Sequence, residues 1–113
     1  MGVPRVKRET ENGVEVAVLV SPGYGAGWSS WCHEAEETEI LLFHKDLVEL
    51  VLKGESGSVQ EAWLLAEEMT EAYIGGAESL MVVWVPEGSR FIIHEYDGSE
   101  NLVLEKDFDW SVA

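Results

Sequence analysis

The chain has 113 residues, with 22 Asp and Glu against 7 Lys and Arg, a formal net charge of −15 and an apolar fraction of 46%. That apolar share is normal for a folded chain, so the charge does not signal disorder, and the length suits one domain with its own core over residues 1–113. A field of this sign repels DNA, RNA and anionic membranes, whose binding needs Lys or Arg; it favours a basic protein surface, or serves solubility alone.

Cys32 is the only cysteine, which excludes an intrachain disulfide. No apolar run reaches transmembrane length, and no basic segment leads into an apolar one as in a secretory leader. Met1-Gly2 opens like an acylation signal, but Val6 stands where that signal needs Ser or Thr. A cytoplasmic location is the default expectation.

In chain order, Arg5 to Glu11 and Val14 to Val20 are extended runs on either side of Asn12-Gly13, which predicts a β-hairpin turning on those two residues. Val14, Val16, Val18 and Val20 share one face of the second strand, and Glu15, Ala17 and Leu19 the other, so burial should deepen along it. Arg5, Lys7 and Arg8 fit an edge strand, where charge discourages unwanted pairing.

Next comes the densest stretch of the chain. Three of eleven glycines and two of five tryptophans fall between Ser21 and His33, in Gly23-Tyr24-Gly25-Ala26-Gly27-Trp28-Ser29-Ser30-Trp31. Glycine costs entropy and packs nothing, so such a run is a shaped loop. Its glycine spacing misses the G-x-G-x-x-G dinucleotide pattern, no P-loop lysine follows, and the carboxylates downstream oppose an anion. Two readings stay open. Tyr24, Trp28 and Trp31 either close the core as a compact Ω-like loop, or act with Ser29 and His33 as a recognition surface of rigid aromatic anchors.

Glu34, Glu36, Glu37 and Glu39 follow directly. They form either a solvated face or an acidic rim for an arginine- or lysine-rich partner. Ile40 to Phe43 is a short buried segment whose period does not separate strand from helix. Asp46 to Lys53 reads as a helix with Leu47, Leu50 and Val51 inward and Gly54 as its stop. Ser58 and Glu61 have capping-box spacing, opening a helix that carries Val59, Ala62, Leu65, Ala66, Met69 and Tyr73 on one stripe. Gly75-Gly76 ends it.

Leu80 to Val85 is continuously apolar, as in a central strand covered on both faces. Pro86-Glu87-Gly88 supplies a turn. Arg90 to Tyr96 and Asn101 to Glu105 make a hairpin across Asp97-Gly98, with Leu102 and Leu104 on one face. The expected fold is α+β: an N-terminal β-hairpin, two helices in the middle, and a C-terminal three-stranded antiparallel meander in one mixed or antiparallel sheet.

Chemistry-bearing patterns are weak. Cys32 and His33 are adjacent, so in extended chain they point apart, and no ligand spacing joins them to His44 and His94 as a metal site. Asp97, Ser99 and Asn101 open like a calcium loop, but Leu102 and Phe108 stand where its glycine and glutamate belong. Neither a catalytic residue nor a cofactor is singled out.

The loop Gly23 to Trp31 and the turn Glu95-Tyr96-Asp97-Gly98 resemble a family of small uncharacterised phage and prophage proteins with a GYGAGWSTWN-type loop and an EYDG turn. The chain departs from that pattern at Ser30 and Cys32. The resemblance brings no activity. It implies a host-cytoplasmic accessory protein that binds a basic host or phage protein, such as a defence nuclease with a basic DNA channel, as an inhibitor. Two alternatives stand beside it: a self-associating structural domain, a homodimer built on the first strand or the loop, and a small-molecule binder or enzyme with a pocket at the loop.

Overall fold

A computed structural model describes residues 3–22, 27–30, 32–71, 74–75, 79–96 and 99–105. The elements are β1 (Lys7–Thr10), β2 (Gly13–Val20), α1 (Ala35–Phe43), α2 (Lys45–Lys53), α3 (Ser58–Met69), β3 (Met81–Pro86), β4 (Phe91–Tyr96) and β5 (Ser99–Leu104). The α+β class and the order of hairpin, helices and C-terminal antiparallel strands are those the sequence predicts. Among the described residues three antiparallel ladders make two sheets, one in the order β1-β2-β3 and one of β4-β5, so β3 joins the N-terminal hairpin and the expected three-stranded C-terminal meander in one sheet is not formed.

Strand β2 is the centre. Its odd residues Ala17 and Leu19 join Trp28, Leu41, Leu47, Val48, Ala62 and Ala66 in one core cluster. Its even residues Val16, Val18 and Val20 join Phe43 and Val85 in a second, onto which Phe91, Ile93, Leu102 and Leu104 pack. Helices cover one face of the sheet and the β4-β5 hairpin covers the other. Burial on both faces is why β2 is apolar at nearly every position, and it deepens from exposed Gly13 to fully buried Val18 and Leu19.

The pairing places Leu80 to Val85 differently from expectation. β3 pairs with β2 alone, so it is an edge strand rather than a central one. Its apolar run reflects packing beside the core on each face, while Met81 stays 45% exposed. The first hairpin is also shifted by one residue. Thr10 pairs with Gly13, so Glu11-Asn12 form the turn and Gly13 follows it at φ 116. Thr10 fixes this arrangement: its hydroxyl accepts from Asn12 N–H and donates to the Gly13 carbonyl. The register runs one-to-one from Lys7↔Val16 to Thr10↔Gly13, so the turn has two residues and no bulge, and Gly13 supplies the positive φ that follows it.

The helical middle is a bent pair, α1 and α2, followed by α3. The apolar run Ile40 to Phe43 resolves as helix because the acids before it suit a helix start. Glu34 caps α1, its carboxylate accepting from Glu37 N–H at 2.8 Å, and Glu36 and Glu37 occupy the positive end of the helix dipole. Leu41 and Phe43 enter different core clusters, so the last turn of α1 is apolar on more than one side. His44 ends α1 and opens α2, its Nδ1 accepting from Asp46 N–H at 3.1 Å. The capping box at Ser58 is not formed. Gly57 is the N-cap and the Ser58 hydroxyl donates backward to the Glu55 carbonyl, which places Ser58 already inside the helix. The helix also stops earlier than its stripe suggests, at Met69, with Thr70 donating to Ala66 from an extended backbone.

Gly54 closes α2 in the left-handed region at φ 65, where an added Cβ would meet nothing nearer than the Leu52 carbonyl at 3.9 Å. Substitution there is therefore a test of backbone conformation without steric clash. Gly54→Ala should lower unfolding free energy by about 1 kcal/mol in urea titration, and Gly54→Asn by less, since Asn tolerates this region. Equal stability of Gly54→Ala and the parent would show that the left-handed cap does not exist.

Candidate functional site: a tryptophan loop closed on Glu100

Where β2 ends, the chain leaves the sheet at Ser21 and returns to the core at Gly27 and Trp28. The Trp28 ring is completely buried, and its Nε1–H donates to the Leu41 carbonyl at 2.7 Å. This bond ties the loop to α1 and explains why an indole, with an apolar body and one donor, suits the position.

The loop is held from the other side by Glu100 on β5. Three successive amides, Trp28, Ser29 and Ser30, donate to Glu100 Oε2 at 2.8, 3.0 and 2.9 Å. The Ser30 hydroxyl donates to the same oxygen at 2.7 Å, and Ser21 N–H donates to Oε1 at 3.0 Å. Glu100 itself is 0% exposed and forms no ion pair among the described residues. Consecutive amides turned inward make a concave nest for an anion, and here the chain supplies the anion itself. The backbone of the two segments is joined as well: Glu100 N–H donates to the Ser21 carbonyl at 2.7 Å and the Ser99 hydroxyl to the Pro22 carbonyl at 2.6 Å.

A carboxylate taken out of water costs several kcal/mol, and only a full set of donors offsets this. Each charge-assisted bond returns about 1.5–3 kcal/mol, so the donors are sufficient in kind and number. The larger effect is the penalty for breaking the set. Without Glu100, the amides of Trp28 and Ser29, in buried residues, and of part-buried Ser30 would lose this acceptor.

These positions bear directly on the residues singled out from the sequence. Trp28 and Ser29 are buried, at 0% and 2% exposure, so neither presents an anchor to a partner. Tyr24 and Trp31 lie outside the described residues. His33 is exposed, and Cys32 is half-buried with its Sγ 3.5 Å from the Glu34 carbonyl. Among the described residues no three His, Cys, Asp or Glu side chains are grouped to hold a metal. The acidic run divides by task. Glu34 caps α1, Glu37 Oε1 accepts from Glu71 N–H at 2.9 Å, Glu39 pairs with Arg5 at 3.3 Å, and Glu36 is exposed. Shallow grooves lie elsewhere, one lined by Asp46, Glu49, Leu50, Lys53 and Leu65, another by Gly88, Ser89, Arg90, Leu104 and Glu105.

Glu100 is the residue that sequence reasoning missed, and its signal was present. Strand alternation that puts Leu102 and Leu104 inward puts Glu100 inward too, two residues earlier. An inward carboxylate with no Lys or Arg in reach calls for backbone donors, which a glycine-rich loop can supply.

Replacing this carboxylate gives an ordered pair of outcomes. Glu100→Ala should lose about 3–5 kcal/mol of unfolding free energy, the usual cost of leaving a buried polar set without its partner. Glu100→Gln can keep one oxygen for the three amides while its NH2 group opposes Ser21 N–H, losing about 1–3 kcal/mol. Added formate should restore part of the Glu100→Ala loss by refilling the nest. A Glu100→Ala protein within 1 kcal/mol of the parent in denaturant titration would contradict the role assigned here, since one net hydrogen bond alone is worth about that much.

Among the described residues no helix is long and apolar enough to cross a membrane. No protein-family model, curated protein or solved structure matches the chain, which leaves its own site and surface to carry the functional argument.

Proposed function

We propose that the chain is a binding module for a basic protein surface, with the exposed acids around the end of α3 supplying the attraction. What supports this reading is the distribution of charge. Arg5, Lys7, Arg8, Lys45, Lys53 and Arg90 are each paired with a carboxylate, respectively Glu39, Glu87, Glu15, Glu49, Glu55 and Glu105. Such exposed pairs stabilise little, but they offset the positive charge locally and leave the acidic excess facing water.

Most of that excess has a structural reason or none is needed; the end of α3 is different. Glu36 and Glu37 sit at the positive end of α1, where the helix dipole favours them. Glu67 and Glu68 lie in the last turn of α3 and Glu71 just beyond it, all exposed, with no basic residue in that turn. There the dipole opposes them. The Glu71–Glu37 hydrogen bond brings the two helix ends together, so the acids of both share one region. Among the described residues no Lys or Arg pairs with Glu67, Glu68 or Glu71, so a cation from outside would be a partner they lack there.

Within this class, the resemblance to small phage proteins favours a host target, a defence or nucleic-acid-processing protein whose DNA channel is basic. The chain would act as its inhibitor by occupying that channel with carboxylates in place of phosphates. Charge of this kind speeds encounter and selects the partner more than it sets affinity. A second reading, association of two copies, is favoured by a separate observation: β3 closes its sheet as Met81-Val82-Val83-Trp84-Val85-Pro86, without a charged residue.

The main reading is tested with an arginine-rich peptide as probe. Affinity should fall by at least about tenfold between about 50 mM and about 200 mM salt, as exposed charges are screened. The combined Glu67→Gln, Glu68→Gln and Glu71→Gln protein should bind more weakly yet be slightly more stable, by a few tenths of a kcal/mol per charge removed. Glu9→Gln with Glu11→Gln and Glu55→Gln, which removes the same charge elsewhere, should bind nearly as the parent does. Equal weakening in both proteins would contradict a localised site and leave only net charge.

A further inference from the structure

We infer that β3 is the contact through which two copies of this chain join, pairing antiparallel about Val83 to make one continuous six-stranded sheet. The inference rests on the self-association reading and adds to it the strand, the register and the response to salt.

The hydrogen-bonding direction of every residue in β3 follows from two bonds beside it. Ala17 N–H donates to the Val6 carbonyl at 2.9 Å, so the odd residues of β2 direct their main chain toward β1. Glu87 N–H donates to the Val14 carbonyl at 2.8 Å, so the even residues direct theirs toward β3. The register Val16↔Val85, Val18↔Val83 and Val20↔Met81 then commits the main chain of Met81, Val83 and Val85 to β2. Val82 and Trp84 are left with N–H and C=O directed outward, away from the sheet, and no hydrogen bond to either main chain is found among the described residues.

The two edges of the sheet are built differently. β1, at the far edge, reads Lys7-Arg8-Glu9-Thr10, four exposed residues of which three are charged. That is how edges are kept from pairing. β3 has no such guard within it, and only Pro86, at its end, lacks a donor. An apolar edge with open donors and acceptors is a template for another strand.

A second copy fits this template by symmetry. With Val83 facing Val83 across a two-fold axis, Val82 of each copy opposes Trp84 of the other. Both residues direct N–H and C=O outward, so each of the two pairs exchanges two hydrogen bonds. The same register sets Trp84 beside Val82 on the helix-covered face, an aromatic and β-branched cross-strand pair, and Met81 beside Val85 on the other. All the meeting side chains of β3 are uncharged, and the Arg8 guanidinium lies over the Trp84 ring at 4.3 Å from within the same chain. The net charge of −15 per chain acts against pairing over longer distances, and salt screens it within about 8–10 Å. Pairing should therefore strengthen with salt, opposite in sign to the binding of a basic partner.

Sedimentation equilibrium of the whole chain in rising NaCl tests this, together with amide exchange. The expected result is a monomer at low salt and a dimer at higher salt, with Val82 and Trp84 amides protected only in the dimer. Val82→Pro removes a donor that the monomer does not use and should abolish the dimer. Met81→Lys places a guard charge at an exposed position and should weaken it at least tenfold, with an unchanged melting temperature. A monomer at every salt concentration overturns both this inference and the self-association reading. A dimer that both variants form as well as the parent overturns the β3 pairing alone. Should Val82→Pro fail to fold, Met81→Lys and the exchange of the Val82 and Trp84 amides in the parent decide the matter.

Discussion

The carboxylate of Glu100 is the point on which this structure depends. It sits without solvent between the segment that follows β2 and the first turn of chain that returns as Trp28, Ser29 and Ser30. A buried charge held, among the described residues, by amides and one hydroxyl is stable when the set is complete and costly when any member is missing. It therefore specifies position more strongly than an apolar side chain of similar size would. Through it, the β4-β5 hairpin is registered against the loop, and the loop, through Trp28, is registered against α1.

That registration lets one strand serve two cores. β2 turns Ala17 and Leu19 to the helices and Val16, Val18 and Val20 to the hairpin, so both coverings must be aligned to the same eight residues. Apolar packing on each face supplies most of the driving force but little positional information. The Glu100 bonds on one side and the Trp28 Nε1 bond to Leu41 on the other supply it. The Gly-Trp loop, at its described residues, is thus the joint between the two halves of the core. The surfaces proposed for recognition lie elsewhere, at the acidic helix ends and along β3.

Much of this was legible in the sequence where a signal is local. The Val alternation located β2, Gly54 located the end of α2, and Pro86-Glu87-Gly88 located the turn after β3, with Gly88 at φ 87. Signals that depend on partners were not legible. Apolar residues from Met81 to Val85 look the same in a central strand and in an edge strand flanked by two core clusters, and only the pairing distinguishes them. Ser58 and Glu61 have the spacing of a capping box, yet the helix begins one residue earlier because Gly57 takes the cap in a left-handed conformation. In the loop, Trp28 reads from the sequence either as a recognition anchor or as a core-closing residue; the structure buries it, with its amide held by a carboxylate 72 positions away. Alternation along β5 pointed to Glu100 inward; what it met there was not written locally.

Glu100 locks the loop as part of the core, and amide hydrogen exchange on the unaltered protein reads that lock. If Trp28, Ser29 and Ser30 donate to a buried carboxylate, their amides open only when the hairpin detaches or the whole chain unfolds. Their exchange should then be slowed to the level of the β2 amides of Val16 and Val18, which face β3 in the ladder. Exchange of these three amides at the rate of exposed loop residues such as Glu55 and Ser56, while β2 remains protected, would contradict it.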